Sequence, residues 1–236
     1  MKMKLRKQIK LNSKRCLCNN WGKAVSIVLL TSAIYLLFVI IEMIANLLLQ
    51  LPASSASAQE LSSAWMLSYL LTVLMAIGSF ILLVPLHLGI TAWYHSLSEG
   101  VSDDILSIFG FFANRKMFFR SLWLSINTGV RAILYAVLYL ILPTAGILFS
   151  VRLLNSPLSS GAFVGSMTLV FSIALFVLLL CFLLIRLQRY FLAQYYLLDQ
   201  ETSVHKAIRA SIHASKGICD EIFAFKLSFL PWGIAS

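Results

Sequence analysis

Charged residues are scarce in this chain of 236 amino acids. Asp, Glu, Lys and Arg together make up 12% of it and 60% is hydrophobic, whereas soluble domains carry about 25% charged and 45–50% apolar residues. A soluble globular fold is therefore excluded, and so is a disordered chain, since disorder requires low hydrophobicity. Four cysteines are too few for a disulfide scaffold. The composition predicts an all-α, polytopic helical membrane protein.

Acidic residues are rarer still, with 9 Asp and Glu against 19 Lys and Arg. In a membrane protein basic residues anchor the cytoplasmic side, so this excess does not indicate a nucleic-acid partner. We predict that residues 1–23 form a basic cytoplasmic arm. The arm contains eight cations and no acid: Lys2, Lys4, Arg6, Lys7, Lys10, Lys14, Arg15 and Lys23.

Apolar runs long enough to cross a bilayer follow the arm. A hydrocarbon core of about 30 Å needs about 20 apolar residues in a helix. Four runs meet that length and predict full transmembrane helices at about 24–51, 65–97, 121–150 and 162–185. A fifth, at 222–236, predicts a short or incomplete span. Residues 24–236 are thus expected to form a single transmembrane helical domain.

The distribution of basic residues predicts the orientation. Sixteen Lys and Arg precede span one, lie between spans two and three, or follow span four, and the opposite loops contain only Arg152. Cytoplasmic loops carry the excess of Lys and Arg. We therefore expect a cytoplasmic N-terminus.

Two cytoplasmic stretches are predicted to be amphipathic helices, at about 103–116 and 203–216. In the first, Ser102 is the expected N-cap, and Ile105, Ile108, Phe109 and Phe112 recur at helical spacing. In the second, one face consists of Val204, Ala207, Ile208, Ser211, Ile212 and Ser215, and the other of His205, Lys206, Arg209, His213 and Lys216. The basic helix lies on anionic headgroups or packs on the ends of the bundle, and the sequence leaves both open.

Glu42 and Arg131 are the charges placed well inside the predicted spans. A lone charge in a membrane costs about 2.5–3.5 kcal/mol on insertion scales, so each needs a partner, water or a cavity. One hypothesis pairs Glu42 with Arg131. Another makes Glu42 a coupling carboxylate assisted by Asn46, one turn later, and a third has Glu42 reach headgroup water.

Pro85 is expected to kink span two, because proline removes a helical hydrogen bond. His87 follows it and is either a titrating group beside a gate or a structural hydrogen-bond donor. Small residues at four-residue spacing predict close helix packing. They are Ser121, Ser125 and Gly129 on span three, and Gly161 and Gly165 at the start of span four.

We find no signature of catalysis, cofactor binding or metal binding. Cys16 and Cys18 form a C-x-C pair, but a zinc site needs four ligands, and His205, His213 and Cys219 would complete it only if the arm folded back. Ordinary thiols are the simpler interpretation. The sequence contains no P-loop, H-E-x-x-H or G-x-S-x-G motif. We predict no catalytic, cofactor or metal residues.

The chain resembles an uncharacterised family of polytopic bacterial membrane proteins, known as domain of unknown function 975. The resemblance rests first on Ser211, Gly217, Ser228, Phe229 and Trp232. Weaker similarity lies at Tyr190, Tyr195, Leu198, Asp199, Ala207, Ile208 and Leu227, at 21–24, and at Leu88, Gly89, Phe109 and Phe112. It implies a bacterial plasma membrane and a further span after Trp232, and it supplies no catalytic residues.

We therefore predict a non-enzymatic accessory, interaction or envelope-maintenance component of the membrane. Its expected partners are anionic lipid headgroups and either a membrane protein or further copies of itself. The alternative is a small permease or transporter subunit that uses Glu42, Asn46, Arg131 and the Pro85 kink. A weaker alternative is a membrane-bound enzyme or an immunity-type protein.

Overall fold

The computed structural model describes residues 2–50, 58–155, 159–199 and 202–228, and no strand occurs within these ranges. The helices are α1 (Lys2–Leu17), α2 (Trp21–Gln50), α3 (Ala58–Ser98), a first 3-10 helix (Ile105–Phe109), α4 (Gly110–Ala113), α5 (Arg115–Leu154), α6 (Ser159–Leu187), a second 3-10 helix (Gln188–Tyr190), α7 (Ala193–Leu198), α8 (Val204–Ala214) and α9 (Cys219–Leu227).

Four stretches are long and apolar enough to cross a membrane, which confirms the predicted number of full spans. They are Trp21–Leu47, Met66–Ser98, Arg115–Leu154 and Gly161–Leu198. Large apolar side chains such as Leu36, Leu74 and Leu138 are exposed on them. Helices that are apolar on every side are typical of membrane spans, since a helix satisfies its own backbone groups in lipid. The protein is therefore a multi-pass, membrane-embedded helical protein.

The chain divides into two compact units, Met1–Leu122 and Trp123–Ser236. In the first unit, α2 and α3 pack against each other and against the first 3-10 helix. Its core consists of Ala24, Ile27, Leu86, Trp93, Leu97 and Ile108, and Cys16 and Leu17 of α1 pack against it. Part of the predicted basic arm is therefore a helix that contacts the core of the first unit.

The segment predicted as one amphipathic helix at 103–116 differs from that prediction. Asp104, rather than Ser102, caps it, because the Asp104 carboxylate accepts a hydrogen bond from the Ile105 amide (2.7 Å). Asn114 is extended and its side chain accepts from the amides of Lys116 (3.1 Å) and Met117 (3.4 Å). A new helix therefore begins at Arg115, and the third span starts six residues before the predicted boundary.

The apolar residues of this segment pack inside the first unit. Ile108 is fully buried in the core, and Ile105, Phe109 and Phe112 pack against it. The preceding turn is held by two donors that share one acceptor. Lys23 Nζ and Trp93 Nε1 lie 3.2 and 3.3 Å from the Asp103 carbonyl oxygen.

In the second unit, α6 continues into the second 3-10 helix, and α7, α8 and α9 fold around that end. The short helix α9 packs on α6 and on the second 3-10 helix, and Lys226 Nζ lies 3.6 Å from the centre of the Phe191 ring. Burial lowers the pKa of Lys226. The fifth segment, predicted at 222–236, overlaps α9 up to Leu227, and residues 229–236 lie outside the described residues.

Candidate functional site

Asn46 joins the two spanning helices of the first unit. Its Oδ1 atom accepts a hydrogen bond of 2.6 Å from Ser68 Oγ on α3. Glu42 is half-buried one turn earlier on α2. Asn46 is thus occupied in helix packing, where polar side chains commonly hydrogen-bond between membrane helices. Glu42 belongs to the first unit and Arg131 to the second, so the proposed pair between them stays a prediction.

Pro85 lies inside α3, which runs unbroken from Ala58 to Ser98. Pro85 and Leu86 are fully buried, whereas His87 is exposed. The Thr91 hydroxyl donates to the His87 carbonyl (2.9 Å), which supplies an additional hydrogen bond two residues beyond the proline. His87 therefore lies on the outer side of the helix, away from the core of its unit.

Arg131 belongs to a cluster of arginines and tyrosines in the second unit. Arg131, Tyr135 and Tyr139 follow one another at four-residue intervals on α5, and Arg186 and Tyr190 do so at the end of α6 and in the second 3-10 helix. Residues four apart share a helix face. We call these five residues the Arg–Tyr cluster.

The contacts within the Arg–Tyr cluster run across the two helices. Arg186 Nη1 donates to the Tyr139 hydroxyl (2.7 Å), and the Arg186 guanidinium carbon lies 5.6 Å from the centre of the Tyr135 ring. The Arg131 guanidinium carbon lies 5.9 Å from the centre of the Tyr190 ring. Each guanidinium therefore contacts tyrosine.

The helices that form the cluster carry no carboxylate, because no Asp or Glu occurs between Asp104 and Asp199. The acids of this unit that the structure describes are Asp199 and those of α9, Asp220 and Glu221. The Nε atom of Arg186 is buried and has no hydrogen-bond partner among the described residues. The Arg–Tyr cluster thus combines two positive charges with an unused donor, which makes it a candidate anion-binding site.

Tyr135, Tyr139 and Tyr190 were not among the predicted site residues, and Arg186 was predicted only as one of the cytoplasmic basic residues. The signal was nevertheless present in the spacing of arginine and tyrosine at intervals of four on both helices.

Small residues line the other end of the α5–α6 pair. Gly161 is buried, and a methyl group on Gly165 would lie 3.0 Å from the Leu154 amide nitrogen. Ser150 Oγ donates to Thr168 Oγ1 (3.0 Å), and a methyl group on Gly146 would lie 2.5 Å from Ser172 Oγ. Gly161 and Gly165 were predicted packing residues, whereas Leu154, which Gly165 approaches on α5, was not.

The predicted small residues of span three have other surroundings. Ser121 is buried and donates to the Phe118 carbonyl of its own helix (2.7 Å). Ser125 is half-buried. A methyl group on Gly129 would meet no described atom within 4 Å.

The family-like residues hold the short helices of the second unit. Ser211 is fully buried and its hydroxyl donates to the Arg189 carbonyl (2.6 Å). Gly217 has a φ of +85°, a left-handed conformation that favours glycine. Ser228 Oγ donates to the Phe225 carbonyl (2.6 Å). Phe229 and Trp232 lie outside the described residues.

Within the described ranges, no three His, Cys, Asp or Glu side chains lie close enough to hold a metal ion. Cys16 is half-buried and Cys18 exposed, and Cys219 Sγ donates to the Ser215 carbonyl (3.1 Å).

No protein-family model matches this chain, and neither the curated proteins nor the solved structures contain a match to it. The resemblance to the uncharacterised bacterial family therefore stays a prediction.

Proposed function

We propose that this chain is a non-enzymatic accessory component of a bacterial cell membrane that binds an acidic membrane protein through helix α8. The single observation that carries the proposal is the division of α8 into a buried side and an exposed basic side. The basic face of α8 consists of His205, Lys206, Arg209, His213 and Lys216, all of them exposed.

The buried side of α8 is already occupied. Ala207, Ile208 and Ser211 are fully buried, and the Ser211 hydroxyl ties the helix to the end of the fourth span. A helix that lies in the membrane interface must bury its apolar face in the bilayer. Because the apolar face of α8 packs on its own unit, only its charges are free to bind a partner.

Fixed charges favour a partner of complementary charge. Electrostatic complementarity raises association rates and selects partners. Binding loses less conformational entropy when the charged surface is already held in place. The packing of Ala207 and Ile208 supplies that support. An acidic protein surface therefore fits the basic face of α8, and anionic headgroups are the competing occupant.

The test is cross-linking in native membranes, followed by gentle detergent purification and mass spectrometry. Wild-type protein is compared with the variant K206Q/R209Q/K216Q and with the control K14Q/R15Q/K116Q, which removes three exposed cations from the first unit. We expect a membrane protein in fixed ratio with wild type and control, and its loss by tenfold or more in the α8 variant. Wild-type protein that purifies without a stoichiometric partner would overturn the proposal.

Transport is the alternative function, and Glu42 tests it. The variant Glu42→Gln keeps the shape of the side chain and removes its charge. Flux of substrate is measured in proteoliposomes. If Glu42 is a coupling carboxylate, the variant should lose this flux, and if Glu42 only contacts headgroup water, the flux should be unchanged.

A further inference from the structure

The Arg–Tyr cluster lies about one membrane thickness from the opposite end of the α5–α6 pair. Gly165 packs against Leu154 at that end, and Arg186 lies 21 positions further along the sequence. At a rise of 1.5 Å per residue this separation is about 32 Å, and the hydrocarbon core is about 30 Å thick. If Gly165 lies near one surface of the membrane, Arg186 lies at the headgroup level of the other.

Two positive charges at the headgroup level favour an anionic ligand. Charged residues within membrane spans pair with one another, with backbone carbonyls or with a functional ligand. Arg131 and Arg186 contact tyrosines instead, within the described part of the second unit. Tyrosine is neutral below a pH of about 10, so it does not balance the charge of arginine.

The free hydrogen-bond donors of the cluster suit oxygen atoms. Arg186 uses Nη1 for the Tyr139 hydroxyl, while its Nε is buried without a partner in the described chain. The Tyr139 hydroxyl accepts that bond and keeps its own proton for donation. A guanidinium has five donors in a planar fork, a geometry that matches phosphate oxygens.

We propose that Arg186 and Tyr139 bind a phosphoryl group at the headgroup level of the membrane, and that Arg131 supplies the second positive charge. The phosphoryl group belongs either to a phospholipid headgroup or to a soluble phosphate ester, since both present the same oxygens. This site lies on α5 and α6 and is separate from the basic face of α8. It therefore does not depend on the proposed partner protein.

The test uses the full chain, delipidated in dodecyl maltoside micelles and examined by native mass spectrometry. The probes are phosphatidylglycerol, diacylglycerol of the same acyl chains, and inorganic phosphate. Wild-type protein is compared with Arg186→Gln and Arg131→Gln. The matched control is Arg152→Gln, which removes an exposed arginine from the other end of α5.

We expect wild type and Arg152→Gln to retain phosphatidylglycerol in preference to diacylglycerol. Arg186→Gln should weaken that binding by about tenfold or more, because a hydrogen bond to a charged group is worth at least that factor. Inorganic phosphate that displaces the lipid would identify a soluble phosphate ester as the source. Inorganic phosphate without effect would identify the lipid.

Two results would overturn the proposal. One is equal retention of phosphatidylglycerol by Arg186→Gln and wild type, and the other is an equal loss in Arg152→Gln. If Arg186→Gln does not fold, Tyr139→Phe keeps every charge and removes one hydroxyl. We expect severalfold weaker binding of phosphatidylglycerol in that variant, which keeps the charge of Arg186, and unchanged binding would again contradict the proposed site.

Discussion

Replacement of Gly89 by alanine should separate α3 from the first 3-10 helix. A methyl group on Gly89 would overlap the carbonyl oxygen of Ile108 and would lie 2.8 Å from its carbonyl carbon and 3.1 Å from its Cα atom. These atoms belong to the backbone, so no rotamer change relieves the overlap. The 3-10 helix must move as a whole, and Ile108, which is fully buried, must move with it.

The loss of folding free energy in Gly89→Ala follows from the contacts that this movement disrupts. Overpacking a tight contact costs about 1–3 kcal/mol. The two hydrogen bonds that Lys23 and Trp93 donate to the Asp103 carbonyl are strained by the same shift, and each is worth about 1 kcal/mol. Alanine returns up to about 1 kcal/mol through its higher helix propensity. We therefore expect a net loss of about 3 kcal/mol.

The matched control for Gly89→Ala is Gly78→Ala on the same helix. A methyl group on Gly78 would meet only Phe38, at 4.0 Å, so its helix propensity should stabilise the protein. The melting temperatures of the two variants are compared by circular dichroism during thermal unfolding in detergent. A melting temperature of Gly89→Ala equal to or above that of Gly78→Ala would refute the close approach of the two backbones.

Three further predictions concern other contacts, each measured by thermal unfolding in detergent. Asn46→Ala and Ser68→Ala should each destabilise the protein. The double mutant should show a coupling energy of about 0.6 kcal/mol between the two positions, as is typical of hydrogen bonds between membrane helices. Additive effects of the two substitutions would contradict a direct hydrogen bond. Gly165→Leu should cost about 1–3 kcal/mol by overpacking against Leu154, whereas Gly129→Leu should be neutral. Equal effects of the two substitutions would contradict the close packing of Gly165 on α5. Ser211→Ala should cost about 1–2 kcal/mol, because it removes the shortest hydrogen bond to the part-buried Arg189 carbonyl; a neutral Ser211→Ala would contradict that hydrogen bond.

The four spans were predictable because the bilayer imposes their length and composition. A helix in lipid satisfies its backbone internally, so an apolar run needs no tertiary partner to be recognised. The ends of the spans were harder, because they depend on single caps. The Asn114 side chain begins α5 at Arg115, whereas hydrophobicity alone placed that start at residue 121.

Periodicity predicted which residues of α8 share a face, but not what covers that face. Ala207, Ile208 and Ser211 are buried. The acceptor of the Ser211 hydroxyl is the Arg189 carbonyl, 22 residues away, and a spacing pattern contains no information about such a partner. Gly89 could not be predicted from a spacing pattern either. A side chain at this position would collide with the Ile108 backbone, and that contact depends on the path of the folded chain.

The number of basic residues on each side of the membrane predicts the orientation of the spans but not the contacts that a particular arginine makes, as the Arg–Tyr cluster illustrates. Arg186 contributes to the positive-inside pattern because it ends a span. The antiparallel register of α5 and α6, which no sequence rule supplies, places it against Tyr139 and Tyr135. Arginines at the headgroup level meet lipid phosphates in any case, so topology and ligand binding draw on the same charge. Among the described residues, the Arg186 Nε is buried and has no hydrogen-bond partner. That donor distinguishes the two roles, because an anchor needs only charge whereas the proposed binding site also needs hydrogen-bond donors.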